Sequence, residues 1–210
     1  MPDPATIALF VTASIALLVV PGPTIALVVA RSLSDGRRVA VPLVLGVGLG
    51  DLVAASVALA GAGALLAASA AAFTLVKVVG ALYLVWLGAR LFMAEPTVPT
   101  DAVPIQPRSA WTAFRDGFLV TVFNPKGILF FIAFVPQFIR GDAAYWPQAA
   151  FFVLAFTALG ILNGAAYALG ADAMRRIIRS TRVLRWMNRA GGSMIVGTGL
   201  AALLARRPAP

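Results

Sequence analysis

Long stretches without charged residues alternate along the chain with short segments that are rich in arginine. A helix needs roughly 20 apolar residues to cross a bilayer. The stretch from 39 to 89 contains only two charged residues, Asp51 and Lys77, and is long enough for two such helices. We place the turn between them at Gly61-Ala62-Gly63 and the small residues that follow. The pattern predicts an all-α integral membrane protein with six spanning helices, over residues 5–30, 39–60, 69–90, 114–138, 147–170 and 187–205.

The composition also indicates a membrane protein. Of the 210 residues, 60% are hydrophobic and 12% are charged, whereas a soluble domain has about 25% charged residues. A chain of this size cannot bury so much apolar surface in one core, so the remainder must face lipid. The sequence contains no histidine and no cysteine, which excludes Ser-His and Cys-His nucleophiles, histidine-ligated zinc and iron–sulfur clusters. We therefore expect neither an enzyme nor a bound metal or cofactor.

The distribution of positive charge predicts the topology. Counted together with the adjoining helix ends, the first and third loops carry three arginines each and the fifth carries six, whereas the remaining loops and the two ends of the chain carry three in total. Loops that face the cytoplasm are enriched in Lys and Arg. The asymmetry predicts that both termini lie outside, and it explains the excess of 17 Lys and Arg over 8 Asp and Glu without a nucleic-acid partner.

The fifth loop has the pattern of an interfacial helix. Its apolar residues recur at the spacing of one helical face, and most of its arginines fall elsewhere. Such a helix lies on a membrane surface with its arginines near anionic lipid. We therefore expect membrane lipid to be a partner of this segment, with a solvated basic loop as the alternative. The apolar residues are Met174, Ile177, Ile178, Leu184 and Met187.

A proline-rich segment divides the chain into two halves. Residues 94–113 contain four prolines and are predicted to form a cytoplasmic linker between three-helix repeats over 1–93 and 114–210. Because each half has an odd number of helices, the halves must lie in opposite orientations. The sequence thus predicts two inverted three-helix repeats, a common plan of secondary transporters.

Proline interrupts the first predicted helix of each half. The first interruption is Pro21-Gly22-Pro23, and the second is Asn124-Pro125 followed by Lys126. Proline removes a backbone donor and leaves carbonyl groups without partners, which is tolerated in a bilayer only where the backbone faces protein or a wet cavity. Breaks in corresponding helices therefore indicate a transport site. The alternative is a pair of packing kinks.

Three charged residues lie at about the same predicted depth as these breaks. An ionisable group at the centre of a membrane helix costs at least about 2.5 kcal/mol unless it is paired or hydrated. Asp51 and Lys77 lie on consecutive helices and are predicted to pair, either as a structural pair or as part of a proton path. Lys126 then has no carboxylate at its level and is predicted to bind a substrate carboxylate. The alternative is that its ammonium group snorkels to the cytoplasmic interface.

Several motifs occur in a fixed order between about residues 10 and 140. They are Pro21-Gly22-Pro23, Arg31-Ser32, Gly36-Arg37, Gly46-x-Gly48-x-Gly50-Asp51, Lys77-x-x-Gly80-Ala81-x-Tyr83-Leu84, Phe114-x-x-Gly117-Phe118, Asn124-Pro125-Lys126 and Pro136-Gln137-Phe138. In these motifs the chain resembles the lysine exporter/homoserine-threonine exporter family (LysE/RhtB) of bacterial amino-acid efflux proteins.

The resemblance implies a secondary exporter of amino acids or close analogues in the bacterial inner (plasma) membrane, driven by the proton gradient. Its partners would be an amino-acid substrate and a coupling proton. The sequence leaves open which amino acid is exported and whether the protein forms a homo-oligomer. The candidate substrate- or ion-binding residues are Pro21, Gly22, Pro23, Asp51, Lys77, Tyr83, Asn124, Pro125 and Lys126.

Two other classes remain as alternatives. Gly48-Leu49-Gly50-Asp51 has the GxGD pattern of intramembrane aspartyl proteases. That chemistry needs two carboxylates that share a proton, and Asp116 and Asp172 lie instead at predicted helix ends beside arginines. A membrane subunit without transport activity is the other alternative, and no motif in the sequence distinguishes it.

Overall fold

A computed structural model describes residues 2–35, 37–95, 109–171 and 180–204, and every regular element in these ranges is helical. A short 3₁₀ helix, Val135–Phe138, follows the sixth α-helix. The α-helices are α1 (Pro4–Val19), α2 (Pro23–Asp35), α3 (Arg37–Ala68), α4 (Ala70–Met93), α5 (Ala110–Val122), α6 (Pro125–Ala133), α7 (Tyr145–Leu169) and α8 (Thr181–Leu204).

Side-chain caps explain where several helices begin. The carboxylate of Asp3 accepts a hydrogen bond from the backbone N–H of Thr6 at 3.0 Å, and Pro4 follows at the first helical position. The hydroxyl of Ser109 accepts from the backbone N–H of Thr112 at 3.2 Å in the same way. A capping oxygen satisfies one of the orphan donors of the first turn. The cap at Ser109 therefore starts α5 at Ala110, inside the segment predicted as linker.

Two helices and two bent helix pairs have the length and apolar character of membrane spans. α3 and α7 each qualify alone. α1 and α2 form one pair that is bent by 56°, and α5 forms another with α6 and the 3₁₀ helix, bent by 44°. The described residues thus contain two to four candidate spans, as expected of a helical multi-pass membrane protein. The count of six remains a prediction.

The predicted interruptions of the first and fourth spans are confirmed. α1 ends at Val19 and α2 begins at Pro23, while α5 ends at Val122 and α6 begins at Pro125. In both places the helix stops just before a proline, because the ring of proline clashes with the turn that precedes it.

The predicted turn at Gly61-Ala62-Gly63 is wrong, because α3 continues through it to Ala68. Glycine lowers helix propensity by only about 1 kcal/mol relative to alanine, and an apolar surrounding strongly favours an unbroken helical backbone. Gly63 also allows α3 to pack closely against Tyr145, because a Cβ atom at this position would lie 2.8 Å from the Tyr145 ring. The break between α3 and α4 falls at Ser69, among the small residues that follow these glycines, where the prediction also allowed it.

The last helix begins earlier than predicted. α8 starts at Thr181 rather than 187, so Leu184 and Met187 belong to its first turns and not to a separate interfacial helix. The rest of that predicted segment, 172–179, lies outside the described residues, as do residues 96–108 of the predicted linker.

α3 lies at the centre of the packing. It contacts α2, α5, α6 and α7, while α4 packs along α8 and against α6. Glycine allows the closest approaches between backbones: a Cβ atom on Gly50 would lie 2.9 Å from the carbonyl oxygen of Phe118 on α5. Small residues at such crossings let membrane helices pack by direct backbone contact.

Two hydrophobic clusters divide the interior. The phenylalanine cluster joins α1, α3, α4, α6, α7 and α8, and its rings include those of Phe10, Phe130, Phe131, Phe134, Phe152 and Phe156. The aliphatic cluster joins α2, α3, α5 and α7, and includes Ile25, Val28, Leu43, Val44, Val47 and Tyr167. Both helix breaks fall between the two clusters along the chain, as does the middle of α3 and of α7.

Candidate functional site

A small cavity lies between the phenylalanine cluster and the aliphatic cluster. It is lined by both helix breaks, by Asp51 of α3, and by Gly160 and Asn163 of α7. Its volume is about 30 Å³, above the roughly 10–15 Å³ that a cavity needs to hold a water molecule. The site therefore has room for water in this conformation, and an amino acid would require it to open.

The break in α1 exposes backbone carbonyls to this site. The last four carbonyl groups of any α-helix have no partner within the helix, and the two prolines that follow α1 have no N–H to offer. Three side chains from α6 and α7 donate to these carbonyls instead. The hydrogen bonds run from Lys126 Nζ to Leu17 O (2.7 Å) and Val20 O (3.1 Å), from Asn163 Nδ2 to Leu18 O (3.1 Å), and from the Tyr167 hydroxyl to Val19 O (2.8 Å).

Lys126 thus joins the two breaks directly. It lies in the first turn of α6, and its ammonium group lies 3.5 Å from the point that a Cβ atom on Gly22 would occupy. The carbonyls of Leu17 and Val20 hold it inside the bundle, which argues against snorkelling to the interface. An ammonium group has three donors, and these carbonyls accept two of them. The prediction that Lys126 binds a substrate carboxylate remains a prediction.

Asn124 makes the second connection between the breaks. Its side-chain oxygen accepts from the backbone N–H of Lys126 at 3.1 Å and so caps α6. Its amide nitrogen donates to the hydroxyl of Thr24, at the start of α2, at 3.3 Å. The Thr24 hydroxyl also lies 3.5 Å from that of Thr121 on α5. The structure therefore brings together Pro21-Gly22-Pro23 and Asn124-Pro125-Lys126, as the matched breaks predicted.

Asp51 faces the same cavity from α3. Its carboxylate lies against Gly160 of α7, where a side chain would collide with it. No residue in the described ranges donates a hydrogen bond to this carboxylate or forms an ion pair with it within 4.0 Å. Lys77 lies on α4, but its side chain is outside the described part of the protein. The predicted Asp51–Lys77 pair therefore remains a prediction.

Tyr83 does not line the cavity. It is half-buried on α4, and its ring centroid lies 5.4 Å from that of Trp86, which is 49% exposed. The aromatic contact places Tyr83 beside the outer surface of α4.

Sequence reasoning missed four uncharged polar residues of the site. They are Thr24, Thr121, Asn163 and Tyr167. Asn163 and Tyr167 lie one turn apart in an otherwise apolar stretch of α7, and polar side chains inside membrane helices usually face protein or a cavity. The spacing of these two residues is the signal that could have identified them, although it is weaker than that of a charged residue.

The fold and the site together define a class of protein. Two broken membrane helices that meet at a cavity containing a few charged and polar groups are typical of secondary transporters. Residues 15–206 match the family described as LysE type translocator. The chain therefore belongs to the LysE family of translocators, as its motifs predicted, and it is a transporter rather than an enzyme.

Relatives support this assignment over most of the chain. A protein of Vibrio cholerae serotype O1 described as an uncharacterized membrane protein is 34% identical over 85% of this chain and 86% of its own length. Proteins named leucine efflux protein are 28% identical in Klebsiella pneumoniae, over 93% and 92% of the two chains, and 30% identical in Salmonella choleraesuis, over 70% and 69%. No solved structure matches the chain significantly.

The protease alternative receives no support from the geometry. Asp51 is the one carboxylate among the described residues that line the cavity. Asp116 lies away from it and forms an ion pair with Arg31 at 3.9 Å. The pair of carboxylates that an aspartyl protease needs is thus not assembled around Asp51 by the described part of the chain.

Proposed function

We propose that this protein exports neutral aliphatic amino acids, with leucine as the leading candidate, across the bacterial inner membrane in exchange for protons. The observation that carries this proposal is the meeting of the two helix breaks at Lys126, whose ammonium group holds the end of α1. Membership of a translocator family supports transport, and relatives named leucine efflux protein support the substrate.

We also propose six spans arranged as two inverted three-helix repeats, with both termini outside. The packing between the halves supports this arrangement. α3 contacts α5 and α6, the broken span of the second half, and α7 contacts α1 and α2, the broken span of the first. The second helices of the halves, α3 and α7, also pack together, as do the third helices, α4 and α8. Such reciprocal contacts are what a two-fold relation between the halves would produce.

Lys126 is the proposed site for the substrate carboxylate. It is the one cation among the described residues that line the cavity. The N-terminus of α6, where it lies, adds the partial positive charge of the helix dipole. A carboxylate that approaches this end of α6 would meet both the ammonium group and the first turn of the helix.

The apolar lining supports an aliphatic substrate side chain. Leu17, Ile25, Val47 and Phe156 contribute to the cavity wall, and such a wall favours burial of a hydrocarbon side chain. A substrate with a cationic side chain would need a further carboxylate there, and Asp51 is the one carboxylate that the described lining offers.

The proposed function is tested by efflux of radiolabelled amino acids from cells with and without the protein. We expect leucine and similar aliphatic amino acids to leave faster when the protein is present, and lysine and glutamate to leave at the control rate. An uncoupler that collapses the proton gradient should abolish efflux against a leucine gradient. If no amino acid leaves faster than in control cells, the proposal fails.

A further inference from the structure

Opposite charges face the same cavity without forming a pair. Lys126 and Asp51 both line it. The distance from the ammonium nitrogen of Lys126 to the carboxylate oxygens of Asp51 nevertheless exceeds the 4.0 Å limit of an ion pair. The ammonium group is held elsewhere, because it donates to the carbonyls of Leu17 and Val20. Asp51 is left without a hydrogen-bond donor among the described residues.

Gly160 makes room for the carboxylate of Asp51. The absent side chain of this glycine leaves the space that the carboxylate oxygen occupies, because a Cβ atom at this position would overlap it. The next glycine of α7, Gly164, has a different surrounding: a Cβ atom there would lie 3.5 Å from Val44, an ordinary contact. α7 therefore leaves space for the Asp51 carboxylate at Gly160, and Gly164 has no such role.

We propose that Asp51 binds the α-ammonium group of the transported amino acid while Lys126 binds its carboxylate. This inference rests on the proposed function, and it adds to the same site a residue that binds the α-ammonium group of the substrate. Zwitterionic α-amino acids carry the two opposite charges on adjacent groups, so one molecule can complement both side chains. Charged groups inside a membrane protein are unfavourable unless they are directly paired, and the zwitterion would supply an oppositely charged partner to each.

The chemical consequence is a requirement for a free α-ammonium group. An N-acylated amino acid keeps the carboxylate and the aliphatic side chain but loses the positive charge. It would leave the Asp51 carboxylate buried and uncompensated, which is strongly unfavourable. The protein should therefore distinguish leucine from N-acetyl-leucine even though the two share their side chain.

The first test is competition in proteoliposomes that contain the wild-type protein. Exchange of radiolabelled leucine across the membrane is measured with unlabelled leucine or N-acetyl-leucine as competitor. We expect N-acetyl-leucine to compete at least tenfold more weakly, a difference of about 1.4 kcal/mol or more. Equal competition would overturn the role of Asp51 while leaving leucine transport intact. Absence of leucine exchange would instead contradict the proposed function itself.

The second test changes the surroundings of Asp51 without changing any charge. Gly160→Ala places a methyl group against the carboxylate and should raise the KM for leucine exchange severalfold. Gly164→Ala is the matched control, because it adds the same group to the same helix where space exists. Equal KM values in the two variants would contradict the proposal.

A third measurement separates ammonium binding from a role in proton transfer alone. Asp51→Asn should lose leucine exchange even when no proton gradient is applied, because the substrate loses its partner. A residue that only carries the coupling proton would lose driven efflux but keep exchange. Retention of exchange by Asp51→Asn would therefore overturn the proposal, and size-exclusion chromatography checks that the variant is folded.

Discussion

Four consecutive backbone carbonyls, those of residues 17–20, lie where α1 ends. Each one accepts a hydrogen bond from a side chain of α6 or α7, so the break in the helix leaves none of the four unsatisfied. These bonds also make the end of α1 depend on the second half of the chain. A substrate that draws Lys126 away from Leu17 and Val20 would therefore change how α1 is held.

The hydrogen bond from Tyr167 to the end of α1 can be removed without changing the charge of the protein. Tyr167→Phe deletes the hydroxyl that donates to the backbone carbonyl of Val19. We expect the free energy of unfolding to fall by about 1 kcal/mol. This value lies between the ~0.6 kcal/mol average for hydrogen bonds in membrane proteins and the higher cost of a buried acceptor that has lost its donor. SDS-induced unfolding in micelles, followed by circular dichroism, measures this loss.

Tyr83→Phe is the matched control for this experiment. The hydroxyl of Tyr83 makes no hydrogen bond within the described ranges, and its ring packs against Trp86. We expect the free energy of unfolding to be nearly unchanged. Equal losses in the two variants would show that the hydrogen bond from Tyr167 contributes nothing specific.

The sequence predicted those residues of the site that stand out from their immediate neighbours in the chain. Charge in an apolar stretch identified Asp51 and Lys126, and both line the cavity. The attachment of Lys126 to carbonyls 109 and 106 residues earlier is not encoded locally. It depends on the packing of α6 against the end of α1, which a hydrophobic pattern does not specify.

At the scale of the helices, the broken spans and the long spans follow different rules. The breaks beside Pro23 and Pro125 were predictable because the steric effect of proline acts within one turn. The end of α3 was not, because glycine weakens a helix without stopping it, and contact with Tyr145 stabilises the longer helix. The position of a proline break thus follows from local chemistry, whereas the length of a helix depends on its packing partners.

The contact between α4 and α8 depends on glycine at a specific position. A Cβ atom on Gly192 would lie 2.6 Å from the carbonyl oxygen of Gly88 and 2.7 Å from the backbone nitrogen of Phe92. Gly192→Ala should therefore force the helices apart and lower the free energy of unfolding by roughly 1–3 kcal/mol. The same unfolding assay in micelles measures the change.

Gly197→Ala is the control on the same helix. No described atom lies within 4 Å of the position that its Cβ would take. Alanine favours the helix by about 0.8–1.0 kcal/mol over glycine, so this variant should be as stable as the wild type or slightly more stable. A loss as large as that of Gly192→Ala would refute the close contact between α4 and α8.

For the whole molecule, the two hydrophobic clusters enclose the cavity from opposite sides. Export requires access from each side in turn, so under the proposed function one cluster separates while the other remains packed. The phenylalanine cluster would close the outer side and the aliphatic cluster the cytoplasmic side. This assignment depends on the predicted orientation of the chain.

The orientation is tested by reporter fusions along the chain. Because arginine is concentrated in alternate loops, fusions after Ser69, Thr100, Asp142 and Arg179 should report outside, inside, outside and inside. Alkaline phosphatase and green fluorescent protein give opposite signals and serve as controls for each other. A cytoplasmic signal at Asp142 together with an external signal at Arg179 would contradict the predicted orientation.

The most direct test of the transport site is the rate of radiolabelled leucine efflux from proteoliposomes containing wild-type protein or Lys126→Gln. Glutamine keeps polarity and hydrogen-bond donors but removes the charge. The efflux rate of Lys126→Gln should be at least tenfold lower, equivalent to about 1.4 kcal/mol or more. Tyr167→Phe is the control, because it removes a hydrogen bond to the end of α1 without removing a charge, and it should lower the efflux rate much less. A Lys126→Gln protein that is folded and releases leucine at the wild-type rate would contradict the assignment of the site.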